Sequence, residues 1–251
     1  IAQFDADATA NNVWAESGES QEYVVVNHFM SALDTDNTTK EQIGSVAGND
    51  DDFNTNNMDT VPNQVTGKIG KALDMNEDST NERVCLEDTG NLNCGGDGTI
   101  FDTAVDERTS SLWYKADVVA GIDEVNRQVL FEEGGNVNGQ NIYLFDNKIF
   151  ACTWRDNVAE CVSYTTTANE WHHVALVWVG RTTSYLYNDG VQVASFTGKD
   201  NAQHDNASAL GNIAGDTNMT HDGFDSVSYS DGDYSFDGII DEFRVTNTAR
   251  S

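Results

Sequence analysis

Residues 170–196 constrain the fold of this chain more than any other stretch. Glu170–Val179 (EWHHVALVWV) and Ser184–Phe196 (SYLYNDGVQVASF) are dense in β-branched and aromatic residues, and Asn188-Asp189-Gly190 interrupts the second. That pattern predicts long strands at 172–179, 183–188 and 191–196, the last two joined by a tight turn at Asn188-Asp189-Gly190. Val174–Val179 is apolar at nearly every position, so both faces of its strand are expected to be covered. Phe236–Arg250 (FDGIIDEFRVTNTAR) predicts a short apolar closing strand over 238–246. Further strands are expected near 22–27, 69–75, 83–87, 110–118, 127–133, 140–146, 148–154 and 159–164. Residues 31–66 and 200–236 are long polar stretches. A structureless loop as long as the first is rare in a compact domain, so short strands or bound ions are expected within it. The chain reads as all-β.

Charge limits the partners. The net charge is −29, with only 13 Lys and Arg against 42 Asp and Glu. Nucleic acid is excluded as an expected partner, because phosphates need clustered Lys and Arg, and anionic membrane surfaces are disfavoured. No apolar run approaches the roughly 20 residues that span a membrane, so no membrane insertion is expected. Most carboxylates are read as a solvated surface suited to salty water, with local clusters open to calcium. The sequence begins Ile1-Ala2-Gln3-Phe4-Asp5 without a signal-peptide pattern. It is read as a monomeric module from a longer protein.

The cysteines give the sharpest local expectation. Cys85 and Cys94 are separated by eight residues, as are Cys152 and Cys161. A hairpin closed by Asp156-Asn157 places Arg155 against Val158. Cys152 then falls opposite Cys161 at a non-hydrogen-bonded position, where side chains are close enough for a disulfide. Cys85 and Cys94 obey the same arithmetic around Thr89-Gly90. Two local disulfides imply an oxidising compartment, hence an extracellular or cell-surface location. The rival, a zinc site, lacks the usual C-x2-C spacing.

Five segments, taken in order, resemble a known family. Gly67–Met75 (GKIGKALDM) is similar to its Gly-rich turn and first matched strand. Ser110–Lys115 (SSLWYK), Leu130–Leu144 (LFEEGGNVNGQNIYL), the Trp171 strand and Asp237–Val245 (DGIIDEFRV) follow at family spacing. Together they resemble laminin-G-like domains of the concanavalin-A-like lectin/glucanase superfamily. The resemblance covers roughly residues 67–251 and implies one two-sheet antiparallel jelly-roll sandwich over 1–251. Residues 1–66 would supply first strands and polar insertion loops. Such modules are mostly extracellular binding domains, so the implied function is a non-catalytic, calcium-assisted module recognising a glycan or surface polymer in adhesion. A peptide-binding module and a polysaccharide-degrading domain are the alternatives.

Candidate site residues follow from chemistry and placement. No Glu-x-Asp-x-x-Glu strand is present. Asp123-Glu124 and Glu132-Glu133 are adjacent residues that point to opposite faces, so neither pair is suited to act on one glycosidic bond. His172-His173 is read as the start of a core strand. Loop positions with alternating oxygen ligands suit calcium. The best run is Asp216, Asn218 and Asp222 followed by Asp225, with Asp50-Asp52 and Asp34-Asp36 behind it. The family resemblance adds Asp74 and Asp241 as structural ligands or turn-stabilising acceptors, and places Trp113, Trp171 and Trp178 in the core. For glycan contact, Trp154 with Arg155 beside a polar turn, and His221, Tyr229 and Tyr234 in the 200–236 stretch, are the aromatic and polar candidates.

Overall fold

The structure, a computed structural model, describes residues 23–27, 38–39, 53–54, 62–75, 83–85, 105–120, 122, 127–134, 137–156, 158–180, 182–197, 208–212 and 234–250. Sixteen strands lie among them. In chain order they are β1 (Tyr23–Asn27), β2 (Thr38–Thr39), β3 (Phe53–Asn54), β4 (Asn63–Thr66), β5 (Lys71–Met75), β6 (Val84–Cys85), β7 (Glu107–Ala116) and β8 (Gln128–Gly134). There follow β9 (Gly139–Phe145), β10 (Lys148–Arg155), β11 (Val158–Thr165), β12 (His172–Val179), β13 (Thr183–Asn188), β14 (Val191–Phe196), β15 (Ser208–Leu210) and β16 (Gly238–Thr246). No helix occurs among the described residues.

The strands form two antiparallel eight-stranded sheets. Sheet I runs β14-β13-β12-β7-β16-β5-β4, with β1 also paired to β16. Sheet II runs β11-β10-β9-β8-β15-β6-β3-β2. This is the expected two-sheet sandwich. The strands expected from β5 to β16 are present with ends shifted by at most a few residues. β2, β3 and β4 lie in the polar 31–66 stretch, where short strands were expected. β15 lies in the second polar stretch and was not expected.

Alternation explains the layering. On β7, Leu112, Tyr114 and Ala116 point into the core, while Ser111, Trp113 and Lys115 point out. Sheet I contributes Leu73, Leu112, Leu176 and Phe243 to a core completed by Phe131, Ile142 and Leu144 of sheet II. The Phe131 and Phe243 rings meet across the layer at 5.0 Å. Burying each such side chain contributes about 1.5–3 kcal/mol. Val174–Trp178 is buried throughout, so both faces of β12 are covered as expected. An ion pair also crosses the layer: Arg108 of β7 lies 3.7 Å from Glu133 of β8, with both side chains sealed from solvent.

Two-residue hairpin turns set the registers. Asp189 and Gly190 have φ of 51° and 77°, and Asp146 and Asn147 have 43° and 62°. Paired positive values match the twist of the flanking strands.

β16 breaks its own alternation. Ile240 faces the core, yet so do Phe243 and Val245. Asp241 pairs with Trp113 and Arg244 with Ser111, so one extra residue sits between them. Glu242 takes φ 54° at this bulge. A one-residue bulge switches every following side chain to the other face. It therefore sends Arg244 and Thr246 outward.

Cys152 lies opposite Cys161 in the β10–β11 ladder, with the two Cα atoms 4.1 Å apart, and the two are joined by a disulfide. Cys94 and the Cys85 side chain lie outside the described residues. The Cys152–Cys161 bond closes a short loop, with a sequence separation of 9. Loop-closure entropy gives such a link about 2–3 kcal/mol. The Cys152→Ala/Cys161→Ala double variant should therefore unfold at a lower urea midpoint, with an unfolding free energy smaller by about 2–3 kcal/mol. An unchanged midpoint would show that the cross-link contributes nothing to stability.

Candidate functional site

The outer face of sheet I carries a trough. One row of cross-strand partners runs from Arg244 on β16 to Ser111 on β7, Ala175 on β12 and Tyr187 on β13. Partners in such a row share a face. Ser111 and Ala175 are small, so the middle of the row is low. Arg244 and Tyr187 rise as walls about 14 Å apart, three strand spacings. His173, Gly190, Thr109, Thr246 and Arg250 complete a hollow of about 230 Å3.

Each end of the trough has its own support. At one end the Thr109 hydroxyl donates to the Thr248 carbonyl at 2.8 Å and accepts from the Arg250 N–H at 2.9 Å. The Ala249 N–H donates to Glu107 at 3.2 Å. These bonds lay residues 248–250 beside β7 and bring Arg250 to the hollow. At the other end His173 lies against Trp113, ring centroids 5.2 Å apart, and the Lys68 ammonium lies 4.9 Å from the Trp113 ring. Arg244 donates to buried Glu242. Burial, then Arg244, pushes the His173 imidazole below its usual range, against the opposing Asp189. His173 is therefore neutral at pH 7 and offers one donor and one acceptor.

The paired histidines divide their roles, because neighbours on a strand face opposite ways. His173 faces the trough. His172 lies 2.8 Å from the Asp189 carboxylate through Nδ1 and 2.9 Å from the Thr167 hydroxyl through Nε2. Thr167 donates to Glu170 at 3.0 Å, and the His173 N–H donates to Asp189 at 2.8 Å. Burial alone would raise the Asp189 carboxyl, but the bonds from His172 and the His173 N–H hold it below the usual range. The 188–190 turn is thereby tied to residues 167–170. The pair begins the core strand β12 as expected, and each imidazole has a further contact, His172 with Asp189 and His173 with the trough.

Several sequence-based candidates are placed differently from expectation. Trp154 is buried, 3% exposed, on the outer face of sheet II. It is the register partner of Gly139, where an added Cβ would come within 2.3 Å of the Trp154 ring. The indole is packed in this tight contact and presents no face to a ligand. Arg155 beside it is half-exposed and pairs with Asp156 at 3.5 Å. Tyr234 is also buried, in a small second core with Val129, Tyr143 and Cys152. Its carbonyl accepts the Val129 N–H at 3.0 Å, so it covers sheet II instead of displaying a ring to solvent. Trp113, expected in the core, is half-buried on the outer face of sheet I, whereas Trp178 is a core residue beneath Arg108.

Glu132 and Glu133 are both buried; Glu132 accepts from Asn141 at 3.4 Å and Glu133 faces Arg108. Asp34, Asp36, Asp50, Asp52, Asp216, Asn218, His221, Asp222, Asp225 and Tyr229 lie outside the described residues, as do Asp123 and Glu124. Among the described residues no three His, Cys, Asp or Glu side chains converge to hold a metal. Asp74 is half-buried, its carboxyl raised by burial and by Asp117.

Asp241 matches the turn-stabilising role. It is buried at the β16 bulge and accepts the Ile69 N–H at 2.9 Å, closing the Gly67–Gly70 turn over the sheet. A Cβ on Gly67 would sit 2.5 Å from the Asp241 carboxylate, which explains a glycine there. Burial, partly offset by these N–H bonds, pushes its carboxyl up to about 6. A carboxyl raised on folding binds its proton more tightly in the native state, so it adds stability as pH falls from about 6 towards 4. Wild type minus Asp241→Asn should show that gain, on the order of 2–3 kcal/mol, in melting experiments from pH 7 to 4. A difference that does not change with pH would remove this assignment.

Comparison with known proteins agrees with the architecture. A profile of the laminin-G type, described as the concanavalin A-like lectin/glucanases superfamily, matches residues 80–251. The chain belongs to that superfamily. No curated protein sequence matches it. Among solved structures, the binding domain of paraclostridial mosquitocidal protein 1 is similar, with a TM-score of 0.62 at 14% identity over 92% of this chain and 50% of that one. The botulinum neurotoxin serotype D binding domain gives 0.59 at 12% identity, over 92% and 48%. The serotype G binding domain gives 0.56 at 11%, over 91% and 48%. This chain spans about half the length of each. At these identities the likeness is one of fold.

Proposed function

We propose that this chain is a non-catalytic, extracellular binding module that recognises a saccharide in the sheet I trough. The observation that carries the reading is the row Arg244, Ser111, Ala175, Tyr187. It makes a shallow hollow with a low floor between an aromatic wall and a guanidinium wall. Sugar recognition needs an aromatic surface for C–H faces and fixed polar groups for hydroxyls. Tyr187 supplies the first; Ser111 and the neutral His173 supply the second. A rigid sheet holds these groups in place before a ligand arrives, which limits the entropy lost on binding. The solved relatives named as binding domains support a binding role over a catalytic one. The engaged state of Glu132 and Glu133 points the same way. Calcium belongs to the proposal through Asp216, Asn218, Asp222 and Asp225, whose alternating oxygens suit it. Adhesion as part of a larger surface protein is the setting that fits an acidic, disulfide-bonded module.

A glycan array run with calcium and again with chelator tests this reading. Binding to a defined set of glycans is expected, lost on chelation and weakened at least about tenfold by Tyr187→Ala. Binding that survives chelation would remove calcium from the reading and leave the trough. Binding untouched by Tyr187→Ala would remove the trough. Absence of binding to any glycan would turn the search to peptides.

A further inference from the structure

Three of the few cations border one hollow. The chain has 13 Lys and Arg in a net charge of −29, yet Arg244 and Arg250 line the trough and Lys68 sits at the Trp113 end. The neighbouring carboxylates already have protein donors: Glu242 takes Arg244, Glu107 takes the Ala249 N–H, and Asp189 takes His172 and the His173 N–H. Glu242 is 2% exposed and lies beneath Arg244, so it orients the guanidinium and offers little negative surface. Arg250 is held by its own backbone bond to Thr109 and approaches from the opposite end. Two arginines therefore line a hollow that also carries an aromatic wall.

We propose that the trough selects a saccharide bearing an anionic group, a uronate carboxylate or a sulfate ester, read by Arg244 and Arg250. This rests on the saccharide reading above and narrows its ligand class. A guanidinium presents paired donors that match two oxygens of one anionic group, and such charge-assisted bonds are roughly twice as strong as neutral ones. The acidic remainder of the surface repels the same ligand at a distance. That repulsion is screened by salt, while contacts inside the hollow are screened much less. Capture of such a ligand therefore depends on local fit and strengthens as salt screens the surrounding carboxylates.

The test is titration calorimetry of the whole chain with four probes: a galacturonate oligosaccharide, its carboxyl-reduced form, a sulfated galactan oligosaccharide and its desulfated form. Salt is set so that the Debye length is about 3–5 Å. One or both anionic probes should bind at least about tenfold more tightly than their neutral counterparts. Arg250→Gln should remove that preference. Arg244→Lys keeps a positive charge on Glu242 but loses the fork, and should weaken the anionic probe alone. Lys148→Gln, exposed on sheet II, should change nothing, and melting temperatures check that each variant is folded. Equal binding of charged and neutral probes, still lost in Tyr187→Ala, would overturn the anion selection and leave the saccharide reading intact. Binding of no probe, on an array that is also silent, would overturn both.

Discussion

The single extra residue in β16 decides what the outer face of sheet I can be. Without it, the alternation that buries Ile240 would carry Arg244 into the core and Phe243 into solvent. Both outcomes are costly: a buried guanidinium without its partner loses several kcal/mol, and an exposed phenylalanine forfeits its burial. With it, Phe243 packs on Phe131 and Arg244 stands over Ser111. Asp241 sits at the same irregularity and fastens the 67–70 turn. One local departure from sheet geometry thus organises the core on one side and the trough on the other.

The sandwich has polar features at unusual depth, and the largest of them is an ion pair. Arg108 and Glu133 face one another across the two layers, and the Arg108 guanidinium lies 5.5 Å from the Trp178 ring. Such a pair adds little net stability, because desolvation offsets attraction, but losing one partner would strand a charge. It also fixes the relative setting of β7 and β8 in a core that is otherwise non-directional. Sheet II gains a second apolar layer outside, where Tyr234 covers Val129, Tyr143 and Cys152. The disulfide lies on that side, away from the trough, with Cys152 buried and Cys161 half-buried.

Much of the fold was legible in the sequence because alternation and turn chemistry are local signals. Asp189-Gly190 and the cysteine pairing around Asp156 could be read from spacing alone. β15 was not legible, because Ser208–Leu210 is three residues long in a polar stretch and pairs with β8 and β6, strands distant in sequence. The trough escaped for a different reason. Its floor is defined by what Ser111 and Ala175 lack, and small side chains leave no mark in a search for aromatic and charged residues. Arg244 could be placed only with the bulge known. Trp154 and Tyr234 misled because proximity to polar residues along the chain says nothing about packing on sheet II, where Trp154 lies on Gly139 and Tyr234 on Val129, Tyr143 and Cys152.

The position of β16 has a consequence for how the domain comes into being. This strand, the last of those described, sits between β7 on one side and β5 with β1 on the other, end to end. During synthesis, β1, β5 and β7 exist long before the strand that joins them. Sheet I is therefore left in three parts with unpaired edges until residues 238–246 appear. Pairing between ends so distant in sequence is slow to form, and open edges are what other chains add to. The domain's passage to its folded state is thus a race between one late strand and its neighbours.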